Sequence, residues 1–397
     1  MSTAAFASLV GQQLAIEVLS DAARSAAEII DGTGPGTAMT HAWLFVGPPG
    51  SGRSVAARAF AQALECADGG CGQCAACHTI AVGTNPDVHV VTPEGLSISV
   101  KEIREIVRVA AFHPSGRRWQ IVIIEDADRL TEGAANALLK AIEEPSARTV
   151  FLLCAPTTHP EDVSVTILSR CRVVALRTPP TEAVAQVLID RDGIDADTAH
   201  WAAQAAQGHI GRAKRLATDP LSRTRRDSVL DIPDGLASMK ACLDAADAVV
   251  GAAEADAKAL SDRLNESERE SLLQALGAGG TGKGTGGAVP RGSAGALKEL
   301  ERKQKARSTR TQRDALDRAL VDLTGFYRDV LLLQVRSQVP LSHDDHREQI
   351  AVVAQRTEQE WVLRALDAIV ATRQSMDLNV KPRVAVTALM ASLRLPH

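Results

Sequence analysis

Residues 43–54 read Trp43-Leu44-Phe45-Val46-Gly47-Pro48-Pro49-Gly50-Ser51-Gly52-Arg53-Ser54. A short apolar run passes into a turn with three glycines, and the pattern over 55–64 that follows is helical. Strand, glycine-rich turn and helix in that order form the setting in which a phosphate-binding loop makes sense. Gly47, Gly50 and Gly52 let the backbone wrap a phosphate, while the N–H groups at Ser54 and Val55 and the helix dipole favour negative charge. Ser54 is placed to offer a hydroxyl to Mg2+. Arg53 stands where the motif has lysine, and its planar guanidinium is no substitute for a compact ammonium. The loop is therefore expected to bind ATP or ADP, with Mg2+, more readily than to drive fast hydrolysis.

Outward from this loop, β-branched runs at 43–46, 88–91, 120–124, 150–154 and 173–176 alternate with helical patterns at 55–64, 100–111 and 133–144. That alternation predicts an α/β fold with a parallel sheet over the first ~175 residues. Ser99 with Glu102 three residues on forms a capping box, and Pro145 closes the third helix. The apolar strand 120–124 ends in Glu125-Asp126-Ala127-Asp128. Such carboxylates hold Mg2+ and orient water in phosphate-loop ATPases, usually in the order Asp then Glu. Here the order is reversed, and a misplacement of ~1 Å can cost on the order of 100-fold in rate.

Cys66, Cys71, Cys74 and Cys77 crowd into a dozen residues. Four thiolates at that spacing can close a tetrahedral Zn2+ shell with no open position, so a metal there is structural; four free thiols are the plainer alternative. Lys101, Arg104 and Arg108 fall at i, i+3 and i+7 and share one helix face, which suits phosphate contact and equally a solvated surface.

Pro179-Pro180 marks a boundary, after which 181–232 reads as a few short helices. From 236 onward the pattern is helical, with a glycine-dense loop at 277–295 and a solvated basic helix at 297–318. The expected division is an α/β nucleotide-type domain over 1–178 carrying the cysteine module, a helical lid over 179–232, and an all-α domain over 233–397.

The 397 residues carry 44 Lys and Arg against 48 Asp and Glu, so a histone-like cationic coat is excluded and any nucleic-acid contact must be a local stripe. With 3% aromatic residues, base-stacking platforms are scarce. No stretch approaches the ~20 apolar residues of a membrane span, and the N-terminus lacks a signal-peptide layout. A cytoplasmic location is expected, with no membrane partner.

Three segments together carry a resemblance: 116–130 around Glu125-Asp126, 135–145 (Ala-Asn-Ala-Leu-Leu-Lys-Ala-Ile-Glu-Glu-Pro), and Leu168-Ser169-Arg170-Cys171. They resemble the bacterial DNA polymerase III clamp-loader subunits of the AAA+ superfamily, as do Val10-Gly11-Gln12 and the cysteine cluster. The resemblance is dense over 9–215. It implies an AAA+ domain, a lid and a helical collar domain. Within the family, Arg53 and the Glu125-Asp126 order are similar to the delta-prime type, whose own nucleotide site is degenerate.

The resemblance implies further roles. Arg170 matches an arginine finger supplied in trans to a neighbour's ATP site, Thr157 a sensor near the γ-phosphate, and Arg212 a lid sensor arginine. The helix bearing Lys101, Arg104 and Arg108 lines the inside of the subunit spiral in the family and touches duplex phosphates. The implied partners are the gamma/tau and delta subunits, the sliding clamp and primer–template DNA, within a holoenzyme that is a DNA-directed polymerase and nucleotidyltransferase. The chain's own ATPase is expected weak or absent. An active gamma/tau-type motor is the alternative, and a zinc-bearing DNA-binding regulator with a vestigial ATPase fold a second.

Overall fold

The computed structural model describes residues 4–93, 95–116, 118–275, 293–378 and 380–395. Two compact units follow one another, breaking between Ala217 and Thr218.

In the first unit the elements run α1 (Gln13–Asp31), β1 (Ala42–Val46), α2 (Arg53–Glu65), α3 (Ala75–Ala81), β2 (Val88–Val91), α4 (Val100–Ala110), β3 (Gln120–Ile124), α5 (Glu132–Glu143), β4 (Thr149–Ala155), α6 (Val165–Leu168) and β5 (Arg172–Ala175). The five strands are parallel, in the order β2-β3-β4-β1-β5. Every residue of β3 and β4 is buried, as expected of inner strands covered by helices on both faces.

Alternation along the strands splits the core into two layers. Trp43, Phe45, Ile121, Ile123, Leu152 and Cys154 face α1 and α2, through Leu19, Phe60 and Leu64. Leu44, Val122, Ile124, Phe151 and Leu153 face α4 and α5, through Ile103, Leu138 and Ile142. The Ser99 capping box forms, with Ser99 N donating to Glu102 Oε2 at 2.7 Å and Glu102 N to Ser99 Oγ at 3.4 Å. The parallel sheet, with a glycine-rich turn after β1 leading into α2, is the α/β domain expected from the sequence.

Helices α7 (Thr181–Asp192), α8 (Ala196–Ala205) and α9 (Ile210–Thr218) close a small core of their own around Leu188, Ala202, Ala213 and Leu216. The sequence reading carries the lid to 232. The structure instead puts α10 (Pro220–Leu230) with the second unit, because Leu230 and Leu236 are buried there beside Leu316, Tyr327 and Leu389.

The second unit continues through α11 (Ile232–Gly235), α12 (Met239–Ala275), α13 (Ser293–Gln334), α14 (Arg347–Arg356), α15 (Gln359–Asp377) and α16 (Pro382–Ser392). It is all-helical among the described residues. The expected basic helix 297–318 lies within α13 and is less solvated than its charge suggests. Leu316 is fully buried, and Arg307 grips the Glu268 carboxylate of α12 through both Nη1 and Nη2. Of the 277–295 loop, residues 277–292 lie outside the described residues, and Gly295 sits in the first turn of α13. No described helix is long and apolar enough to cross a membrane.

Candidate functional site

Because the strands are parallel, the turns after β1, β3 and β4 open along one edge of the sheet, where ligands of such sheets sit. Gly47 follows β1 directly and its N–H donates to Ala155 O at 3.4 Å, locking the loop's start to β4. Gly50 and Gly52 take φ of 86° and 90°, the left-handed region that a side chain would strain. At Gly50 a Cβ would also lie 2.7 Å from Cβ of His209, so the entry to α9 packs directly over the loop. Gln12 is buried and braces the turn: its Nε2 donates to Ser51 O at 3.3 Å and to Arg177 O at 2.6 Å, and its Oε1 accepts from Arg177 N.

Ser54 and Val55 lie in the first turn of α2, with Val55 exposed. Arg53 opens the helix, and its Nη1 is buried with no hydrogen-bond partner; so is Ser51 Oγ. An orphaned guanidinium nitrogen at a glycine-rich helix start fits an anionic ligand, because a buried donor left unpaired costs about 1–3 kcal/mol. The residues present therefore fit a phosphate group.

They fit Mg2+ less well. Arg58 of α2 donates to Glu125 Oε1 twice, from Nη2 at 2.8 Å and Nε at 3.2 Å. The carboxylate read from the sequence as a metal holder is thereby neutralised by a guanidinium of its own chain. Asp126 is half-buried beside Asp128, whose carboxyl is pushed up by burial and by the Asp126 charge, against the pull of Arg129 and Arg53.

Thr157 lies two residues past β4 and is exposed. Its hydroxyl donates to Asp162 Oδ2 at 2.5 Å and accepts from His159 N at 2.9 Å, so it holds the turn in shape. Arg212 is half-buried in the first turn of α9, its N–H directed at His209 Nδ1. Arg212 and the residue covering Gly50 thus belong to one helical turn.

Arg170 follows α6. Its Nη2 pairs with Glu143 Oε1 at 2.7 Å, and its Nη1 donates to Thr166 O and Ser169 Oγ. Its side chain remains 36% exposed, so the guanidinium is both held and reachable from outside. Lys101, Arg104 and Arg108 are exposed on α4, on the face opposite buried Ile103.

The four cysteines converge. Cys66 ends α2, Cys74 caps α3 and Cys77 lies within it, and the sulfurs of Cys66, Cys71, Cys74 and Cys77 all lie within 4.8 Å of one another. Backbone N–H groups point at them: Cys71 N at Cys66 Sγ (3.4 Å), Cys74 N at Cys71 Sγ (3.3 Å) and Cys77 N at Cys74 Sγ (3.5 Å). Burial raises the Cys66 thiol, yet N–H groups of Cys71, Gly70 and Asp68 outweigh it and bring it down to about 6. Burial pushes Cys77 up to about 12. Four converging sulfurs could together hold one metal ion as a closed tetrahedral shell.

A family described as DNA polymerase III, delta subunit, matches residues 30–180. The delta-prime subunit of Pseudomonas aeruginosa DNA polymerase III is 40% identical over 151 residues, 36% of this chain and 45% of that protein. The Bacillus subtilis delta-prime subunit is 35% identical over 157 residues, 39% of this chain and 47% of that one. Over this span the chain is similar to delta-prime subunits of DNA polymerase III. The Bacillus subtilis tau subunit is also similar, 32% identical over 207 residues, 50% of this chain and 36% of its own length. The chain spans less than half the length of these relatives.

In the α/β unit three contributors escape sequence reasoning. Arg58 carries no mark of a partner 67 residues away, and Gln12 none of its link to Arg177. Glu143 stands inside the quoted 135–145 run, but only the fold brings it to Arg170.

Proposed function

We propose that this chain is the delta-prime subunit of a DNA polymerase III clamp loader, which helps open a sliding clamp and place it on primed DNA. Its contribution is mechanical and in trans: it presents Arg170 to the ATP site of a neighbouring gamma/tau-type motor, while its own site does not turn over. The observation that carries this reading is the pairing of Glu125 with Arg58, which occupies the carboxylate a motor would give to Mg2+. Arg170, by contrast, stays accessible. A guanidinium reaching a transferring phosphate is worth ~10³–10⁵ in rate in other systems.

The phosphate loop, with Gly47, Gly50, Gly52, Arg53, Ser54 and Val55, holds a nucleotide or its phosphates without hydrolysing them. Thr157 and Arg212 flank it. Cys66, Cys71, Cys74 and Cys77 hold a structural Zn2+, which when bound ties the end of α2 to α3. Lys101, Arg104 and Arg108 touch DNA phosphates, a contact that is salt-sensitive and blind to sequence. The lid extends from 179 and the collar follows it. The protein works in the cytoplasm, inside the polymerase holoenzyme.

Co-purification tests the assignment. A tagged chain should recover gamma/tau-type and delta-type subunits in near-equal amounts. Recovery alone, with brisk ATP turnover, would favour the motor reading.

A further inference from the structure

The helical unit holds a second cluster of ligating side chains, unrelated to the cysteines. Asp227 and Asp231 lie one turn apart at the C-terminal end of α10. Asp345 and His346 belong to the short 3-10 turn Asp344–His346 that leads into α14. Ligand atoms of Asp227, Asp345 and His346 all lie within 4.8 Å of one another.

His346 is the decisive member. Its side chain is only 9% exposed, and its Nδ1 is buried with no hydrogen-bond partner. Its Nε2 lies 3.8 Å from Asp227 Oδ1 and 3.9 Å from Asp231 Oδ1, and its Nδ1 lies 3.4 Å from Asp345 Oδ1. The Nε2 separations are too long for hydrogen bonds. They are of the order expected for donors that share one ion through bonds of roughly 2.0–2.2 Å, after a closure of a few tenths of an ångström. The buried imidazole, with an unpartnered Nδ1 and no hydrogen bond from Nε2 to Asp227 or Asp231, has a ring nitrogen to offer as a ligand beside the carboxylate oxygens.

Charge points the same way. Arg226, buried, grips Asp345 through both oxygens, at 2.7 and 2.8 Å, and reaches Asp227 at 3.2 Å. Three carboxylates, those of Asp227, Asp231 and Asp345, thus lie around His346, and Arg226 touches two of them. Asp231 and Asp227 are 61% and 46% exposed, so an ion can enter from solvent and keep water ligands.

We propose that Asp227, Asp345 and His346 bind a divalent first-row transition ion, with Asp231 reaching in from the rim and water completing the shell. Imidazole with carboxylates suits Zn2+, Co2+ or Mn2+, not the thiolate-seeking ions. Arg226 fixes Asp345 from behind, the role outer partners play around metal ligands. The ion staples α10 to the turn that opens α14.

The test is a Co2+ titration of the full chain after chelator stripping. Co2+ in the cysteine cluster gives an intense sulfur charge-transfer band; Co2+ on oxygen and nitrogen gives none. Two equivalents should bind, one of them without that band and with a rise in Tm. Asp227→Asn and His346→Gln should each weaken the band-free equivalent at least ~10-fold and leave the thiolate equivalent in place. If His346→Gln fails to fold, Asp227→Asn, at a half-exposed position, decides alone. A single equivalent carrying the thiolate band would overturn the proposal, as would a band-free equivalent that survives Asp227→Asn at full affinity.

Discussion

Arg170 Nη2 lies 2.7 Å from Glu143 Oε1, so the run ending in Glu143-Glu144-Pro145 and the Ser169-Arg170-Cys171 corner are joined by an ion pair. Both partners are substantially exposed, and exposed pairs contribute ~0–1 kcal/mol to stability. In the proposed role of Arg170 the pair's value is orientation, since it holds the long side chain in one place. Glu143→Gln should change stability by less than ~1 kcal/mol yet slow the neighbouring motor's stimulated ATP turnover by roughly 3–10-fold, since small misplacements of reacting groups cost heavily. Unchanged turnover in a correctly assembled complex would reduce the pair to a surface salt bridge.

Restoring a lysine in the phosphate loop should not restore a motor. In Arg53→Lys the compact ammonium returns, but Glu125 remains held by Nε and Nη2 of Arg58. Steady-state ATP hydrolysis by the isolated variant should stay at background. A clear gain in turnover would mean that Arg53 alone had silenced the site.

Glu65 sets a pH dependence for the α/β unit. Burial, against a hydrogen bond from Trp119 N and with Asp87 adding to the effect, raises its carboxyl from an ordinary 4.5 to about 7. Between those values the folded chain keeps a proton that the unfolded chain has lost. Stability from this group is therefore greatest at low pH and falls as pH rises through 7, by up to about 3 kcal/mol. Glu65→Gln keeps an acceptor for Trp119 N and should flatten that slope, stabilising the protein at pH 8 more than at pH 5. Denaturant unfolding at the two pH values checks this; equal shifts at both would contradict it.

If the four cysteines hold the proposed Zn2+, chelation should loosen the α/β unit and leave chemistry aside, because four thiolates would close its shell. Cys71→Ser should lower Tm with the thiolate metal equivalent lost or weakened. A variant that kept its Tm while the complex lost its ATPase rate would point to a role in the reaction.

Much of the fold was legible in the chain. The strands lie where β-branched runs end in turn residues, within one residue of their observed bounds, because inner strands buried on both faces must be almost wholly apolar. Ser99 and Glu102 signalled the start of α4 for an equally local reason. Helix α1 went unread although Ile16, Leu19, Ala22 and Ala26 line one face, and the lid was carried past Ala217 because Leu230 and Leu236 reveal their core only in three dimensions. The left-handed Gly50 and Gly52 and the convergence of the four cysteines were legible from spacing. The Arg58–Glu125 and Arg170–Glu143 pairs were not, since each joins side chains that sequence separation hides.

The most direct measurement is ATP turnover of the assembled complex on clamp and primed DNA, with this subunit carrying either Arg170 or Arg170→Ala. The account predicts that the variant assembles normally and loses on the order of 10³ or more of the turnover at the one site it completes, while the isolated wild-type chain hydrolyses no ATP above background. Full turnover at that site with Arg170→Ala, or brisk hydrolysis by the chain alone, would contradict it.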